Sequence, residues 1–99
     1  MHAVVGIWDM GAGDWEEQQR ALHEEIVPMV RGIPGFVAGY WMGDRAAAKT
    51  HATIVWEDEE AAQRFKGFAQ GPAGQGRRDE VGVGSESMTV LEVLAATHR

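Results

Sequence analysis

Apolar and polar positions along this chain alternate with two different periods, and the switch points carry turn residues. Residues 2–10, HAVVGIWDM, are β-branched and aromatic, and GAG at 11–13 closes them as a strand would be closed. Asp14 is then placed to cap a helix, with Glu17 three residues on in capping-box position. Trp15, Leu22, Ile26, Met29 and Ile33 recur at three- and four-residue steps, one of them doubled across Gln19. That is helical period, with Glu16, Glu17, Glu24 and Glu25 mostly turned to solvent. Pro28 has no N–H to give the carbonyl of Glu24, so the last turns are expected to kink or loosen. Gly32 and the Pro34-Gly35 pair end the helix.

FVAGYWM at 36–42 predicts a second strand, GDRAAAK at 43–49 a connection, and THATIVWE at 50–57 a third strand, together a hairpin. Asp58 caps a second helix, EEAAQRFKGFAQ, with Ala61, Ala62, Phe65, Phe68 and Ala69 as its expected buried face and Gly71-Pro72 as its stop. Residues 71–84 hold five glycines around Arg77-Arg78-Asp79-Glu80. A loop so much longer than the usual run of about 2–6 residues is expected to be mobile or functional. SMTVLEVLAA at 87–96 predicts the last strand.

The order strand, helix, strand, strand, helix, strand predicts an α+β, ferredoxin-like βαββαβ domain spanning 1–99, with a four-stranded antiparallel sheet and both helices on one face. The outer strands then pose a problem. Both the odd set Ala3, Val5, Ile7 and the even set Val4, Gly6, Trp8 of the first are apolar, and the last strand is apolar on both sides as well. Helices cover one face only, so the other face needs a second molecule. A second copy, sheet against sheet, is the simplest cover, which predicts a homodimer and a dimeric α+β barrel.

Bulk composition narrows the partners. The chain is 44% hydrophobic and 24% charged, the balance of a globular protein. Nine basic against fifteen acidic residues leave a net charge of −6, which repels phosphate backbones and anionic lipids, so neither nucleic acid nor membrane is an expected partner. With no cysteine there are no disulfides, thiolate nucleophiles or zinc–thiolate sites. No apolar run approaches the roughly 20 residues of a bilayer span, and the N-terminus reads as a strand rather than a leader. The expected location is the cytoplasm.

The stretch VPMVRGIPGFVAGYWMGD at 27–44, with IVWEDEEAAQRF at 54–65, joins a helix ending in Pro-Gly-Phe, a strand, and a Trp-acid-acid strand end that opens the second helix. In this the chain resembles the dimeric α+β barrel superfamily, and most of all its small antibiotic-biosynthesis monooxygenase-like proteins, including single-domain relatives common in actinobacteria. The superfamily holds cofactor-free quinol oxygenases, haem degraders, isomerases and cyclases. Haem degraders use an Asn on the first strand, a helix Trp and a ligating His after it. Counted from Trp56, the helix Trp position falls on Phe65 and the His position near Gly74–Gln75, and the chain has no Asn at all. The resemblance therefore implies a cofactor-independent monooxygenase, or a related isomerase or cyclase, acting on an aromatic or polyketide-like small molecule in a pocket between helices and sheet. Its alternative is a non-catalytic small-molecule-binding or stress-response dimer.

The candidate chemistry is limited. Trp8, Phe36, Tyr40, Trp41, Trp56, Phe65 and Phe68 lie on strands or the second helix and form either plain core or the walls of a pocket for a small planar apolar ligand. His23 flanks the sheet-facing stripe of the first helix and is either a general base or a solvated rim residue. His51 shares a strand face with Thr53, Val55 and Glu57, a row that lines either the pocket or the barrel interior. Glu92, alternating with Val90 and Leu94, is either a base or an ion-paired interface group. His2 and His98 are expected to be solvated, and no histidine spacing marks a metal site. Gly6 and Gly39, in mid-strand, mark bulges by default, or else a close approach by backbone or a ligand. Arg77 and Arg78 either close over an anionic group or stay in solvent.

Overall fold

The computed structural model describes residues 1–11, 13–72, 76 and 84–99. Its elements are β1 (His2–Asp9), α1 (Trp15–Ala21), a π-helical turn (Leu22–Ile26), α2 (Val27–Arg31), β2 (Phe36–Asp44), β3 (Lys49–Trp56), α3 (Glu59–Gln70) and β4 (Gly84–Glu92). The strands form one antiparallel sheet in the order β2-β3-β1-β4. This is the α+β, ferredoxin-like arrangement expected from the element order.

Both predicted caps form. The Asp14 carboxylate accepts from the Glu17 amide at 3.1 Å and that of Asp58 from the Ala61 amide at 2.8 Å, each satisfying a helix N–H that has no partner inside the helix. The loosening expected at Pro28 begins one turn earlier, as the π-helical turn, where the Val27 amide donates to the carbonyl of Leu22. A π turn inserts one extra residue and rotates the remainder of the helix about its axis. The buried face accordingly passes through Gln18, Ala21 and Val30, while Met29, expected inside on an unbroken helical period, is 41% exposed. Phe68, also expected on a buried face, lies outward on α3.

The core sits between the helices and one face of the sheet. Val4, Ala52, Ile54, Trp56 and Met88 meet Val30, Ala61, Ala62, Phe65 and Ala69 there. Gly35 makes the approach possible. Its φ of +92° suits glycine, and a Cβ there would come within 2.8 Å of Ala61 Cβ. The opposite face carries Ala3, Val5, Ile7, Ala38, Tyr40, Met42, Thr53, Val55 and Leu91 by register, and Tyr40, Met42 and Leu91 are exposed on it. Among the described residues, no helix covers this apolar face, which the two-sided strands led one to expect.

β4 ends at Glu92, four residues before the predicted limit. The cause is the length of its neighbour. β1 begins at His2, and the last ladder-like bond here runs from the Val93 amide to the carbonyl of Met1. Among the described residues, no strand pairs with the chain beyond Val93. Among the described residues, no helix is long and apolar enough to cross a membrane. The glycine-rich segment with Arg77 and Arg78, and the positions Gly74–Gln75, lie outside the described residues.

Candidate functional site

The helix-facing side of the sheet is built around two Gly-x-Trp triplets, Gly6-Ile7-Trp8 on β1 and Gly39-Tyr40-Trp41 on β2. Side chains two apart on a strand share a face, so each indole stands over its own glycine. A Cβ on Gly6 would meet Cη2 of Trp8 at 2.4 Å, and one on Gly39 would meet Cζ3 of Trp41 at 2.7 Å. Each ring therefore lies back along its strand in the space a side chain would fill. Neither glycine is the bulge expected from sequence. The register shifts fall beside them, between Ile7 and Trp8 and between Phe36 and Ala38.

Ala52 of β3 separates the two triplets, paired with Gly6 on one side and Trp41 on the other. With strands about 4.8 Å apart, the indoles flank a small-residue strip across about 10 Å. Both are half-buried and packed on the core. The aromatic surface continues from Trp41. Phe36 Cε2 lies 3.5 Å from the same Gly39 Cβ position, Phe36 meets Trp56 edge-on at 5.9 Å, and Trp56 stacks on Phe65 at 4.9 Å. Five of the seven predicted aromatic residues, Trp8, Phe36, Trp41, Trp56 and Phe65, are thus brought to one layer. Tyr40 stands on the opposite face, 59% exposed, and Phe68 is 46% exposed on α3.

Among the described residues, polar groups at this layer are few. Thr50, paired with Trp8 and Gly43, is 7% exposed, and its Oγ1 is buried without a hydrogen-bond partner. Gln18, 2% exposed, donates through Nε2 to the carbonyl of Met10 at 3.2 Å and ties α1 to the end of β1. Above Gly43 lies Trp15, with the Arg45 guanidinium 5.5 Å from its ring. Nothing in the hydropathy pattern distinguishes Thr50 from the rest of its strand. Only its neighbours make it a buried polar site.

The predicted bases do not converge. His23 is exposed on the π-helical turn. His51, opposite Ile7 and Met42, is exposed on the sheet face that carries no helices. Glu92 is exposed at the end of edge strand β4, opposite His2. His2, expected to be solvated, is instead partly covered. Its side chain is 24% exposed, its Nδ1 is buried without a partner, and its Nε2 lies 3.9 Å from Glu59. Its signal was hidden at the start of the strand, where fraying is the ordinary expectation. On the outer side of α1, Arg20 bonds Glu17 and Glu24, and these hydrogen bonds raise its pKa above the ordinary arginine value. A shallow depression lined by Asp58, Glu59, Glu60, Gln63 and Arg64 lies at the start of α3, away from the indoles. Among the described residues no cluster of three metal-ligating side chains occurs.

The fold matches known structures over nearly the whole chain. A Deinococcus radiodurans protein assigned to antibiotic biosynthesis monooxygenases superposes with a TM-score of 0.68 at 16% identity, covering 100% of this chain and 98% of that one. The chain has the antibiotic-biosynthesis monooxygenase fold. SnoaB, a cofactor-independent oxygenase from Streptomyces nogalater, shares this fold with a TM-score of 0.67 at 14% identity, over 96% of this chain and 94% of its own. A dimeric ferredoxin-like protein from an uncultured marine organism matches with a TM-score of 0.70 at 9% identity, over 100% of both chains. No protein-family model matches the sequence, and no curated protein matches it significantly. At these identities the antibiotic-biosynthesis monooxygenase likeness is one of fold, and what the site does has to be argued from its residues.

Proposed function

We propose that this protein binds a planar aromatic or polyketide-like molecule between its helices and sheet and oxygenates it without a cofactor. The observation that carries the reading is the pair of indoles laid over glycines. A mid-strand glycine costs about 0.5–1 kcal/mol relative to alanine, and this chain accepts that cost twice on one sheet face. The return is flat, half-buried aromatic surface on the helix-facing side of the sheet, a surface suited to a stacked ring system.

The chemistry asks little of such a site. A phenolic substrate that loses its proton becomes electron-rich enough to reduce O2 itself. One oxygen atom enters the ring carbon, the other leaves as water with the ring and hydroxyl hydrogens, and the phenol becomes a quinone. The protein has to exclude water, orient the ring and take the proton. His23 is the base proposed here, since it stands on the helical layer, on the indoles' side of the sheet, whereas His51 faces away. The likeness to SnoaB supports the reading. Two copies joined at their open sheet faces form the functional unit, a reading supported by the exposed Tyr40, Met42 and Leu91.

Oxygen uptake with a panel of reduced polycyclic quinols and phenols tests the proposal. Uptake that depends on the protein and falls in Trp8→Ala and Trp41→Ala is expected. Saturable binding with no uptake for any member overturns the oxygenase and leaves the second reading, a binding dimer. The exposure of His23, His51 and Glu92 favours that second reading, because none of them is held against the indoles.

A further inference from the structure

The rung that joins Gly43, Thr50 and Trp8 across the sheet carries a polar group that the packing does not use. Gly43 has no side chain, and the Trp8 ring leans back along its strand to lie over Gly6. Thr50 is left over the rung, 7% exposed, with Oγ1 buried and without a hydrogen-bond partner. A hydroxyl taken from water and left unbonded is costly. Above the same rung stands the half-buried Trp15, whose Cη2 lies 3.1 Å from where a Gly43 Cβ would be. Trp8 and Trp41 pack on the core, whereas Trp15, among the described residues, stands outside that cluster. The Arg45 guanidinium lies 5.5 Å from its ring. Arg20 and Arg64 each bond a carboxylate of their own helix, but Arg45 has no ion pair among the described residues. The adjacent Asp44 accepts instead from the Ala47 amide at 3.1 Å.

We infer that Thr50 and Arg45 form the polar end of the aromatic site and select acidic ligands. These are fused-ring molecules with a carboxylate, held by Arg45, and a ring hydroxyl or carbonyl oxygen, bonded by Thr50 Oγ1. The inference rests on the aromatic-ligand reading above and adds the substituents that the ring must bear. A guanidinium grips a carboxylate through two N–H donors, and a threonine hydroxyl both donates and accepts. The spacing suits one molecule. Arg45 follows Gly43 by two residues, at most about 7 Å of chain, and side chains paired across strands stand about 5 Å apart. Trp15 is the part that yields, because its ring covers the rung from outside the core. The ligand ring takes its place over Gly43, where no side chain intervenes.

Binding of three fused-ring compounds, followed by tryptophan quenching, tests this. Rhein is an anthraquinone with a carboxylate and two hydroxyls, chrysophanol has a methyl in place of that carboxylate, and anthracene carboxylate has no ring oxygen. Rhein is expected to bind at least about 5-fold more tightly than chrysophanol, and Arg45→Gln to abolish that preference while Arg45→Lys keeps part of it. Thr50→Val is expected to weaken rhein about 2- to 10-fold and leave anthracene carboxylate unchanged, with Thr50→Ser restoring rhein. The Trp15 indole N–H resonance, assigned with Trp15→Phe, is expected to shift when rhein binds. Rhein held equally by wild type and Arg45→Gln overturns the carboxylate contact. Thr50→Val that binds rhein as wild type does, or weakens both acids alike, overturns the oxygen contact. An unmoved Trp15 resonance at saturation overturns the placement over Gly43. Each of these results leaves the aromatic-ligand reading standing, whereas no binding by any of the three compounds overturns both.

Discussion

Replacing Gly6 with alanine should change sign with the residue two positions on. In the wild-type background the new methyl would sit 2.4 Å from Cη2 of Trp8, far inside contact distance, so the indole has to leave its seat. Overpacking of this kind costs about 1–3 kcal/mol. Because Trp8 is half-buried and its ring can swing toward solvent, the lower half of that range is expected. Against it stands about 0.5–1 kcal/mol gained by removing a glycine from a strand. Gly6→Ala alone should therefore destabilise, or at best be neutral. In a Trp8→Ala background the clash is gone and the gain remains, so the same substitution should stabilise by about 0.5–1 kcal/mol. The coupling between the two sites is then about 1–2 kcal/mol, against about 0.3–0.5 kcal/mol of non-additivity for independent sites. Urea unfolding of the four proteins, followed by far-UV circular dichroism because the other indoles confuse fluorescence, gives the cycle directly. A coupling below about 0.5 kcal/mol would mean that the ring does not occupy the glycine's space, and the basis of the proposed site would be lost.

Three further outcomes are expected. Thr50→Val replaces a buried hydroxyl that has no partner with a methyl of similar shape, so it should be neutral or stabilise by up to about 1 kcal/mol. A loss above that in thermal unfolding would show that the hydroxyl is bonded. Leu91→Asp, on the open apolar face, should give a monodisperse monomer near 10.8 kDa by light scattering while circular dichroism stays unchanged, whereas a surviving dimer would place the interface elsewhere. Planar quinone-like compounds should quench tryptophan emission saturably. The quenching should weaken in Trp41→Phe and not in Tyr40→Phe, since Tyr40 lies on the other face of the sheet; equal weakening in both would move the site.

Local signals settled much of this protein. The Asp14 and Asp58 caps need only a short polar side chain at the right offset from an apolar run, and both form. The strand–helix order, read from the change of period, suffices for the α+β topology because short connections leave few alternatives. The two-sided apolarity of β1 foretold an uncovered face, since alternation on a strand assigns residues to faces without any knowledge of neighbours. Other features depend on residues that only folding brings together. The rotation of the first helix, which buries Val30 in place of Met29, comes from a π turn whose one extra residue no periodicity records. Whether Gly6 and Gly39 are bulges or seats for indoles depends on which way Trp8 and Trp41 turn, a rotamer choice made against the core. The end of β4 at Glu92 was decided by where β1 begins, because a strand lasts only as long as its partner. The separation of His23 from His51 to opposite sides of the sheet came from the register of β3, in which a shift of one residue would exchange the faces.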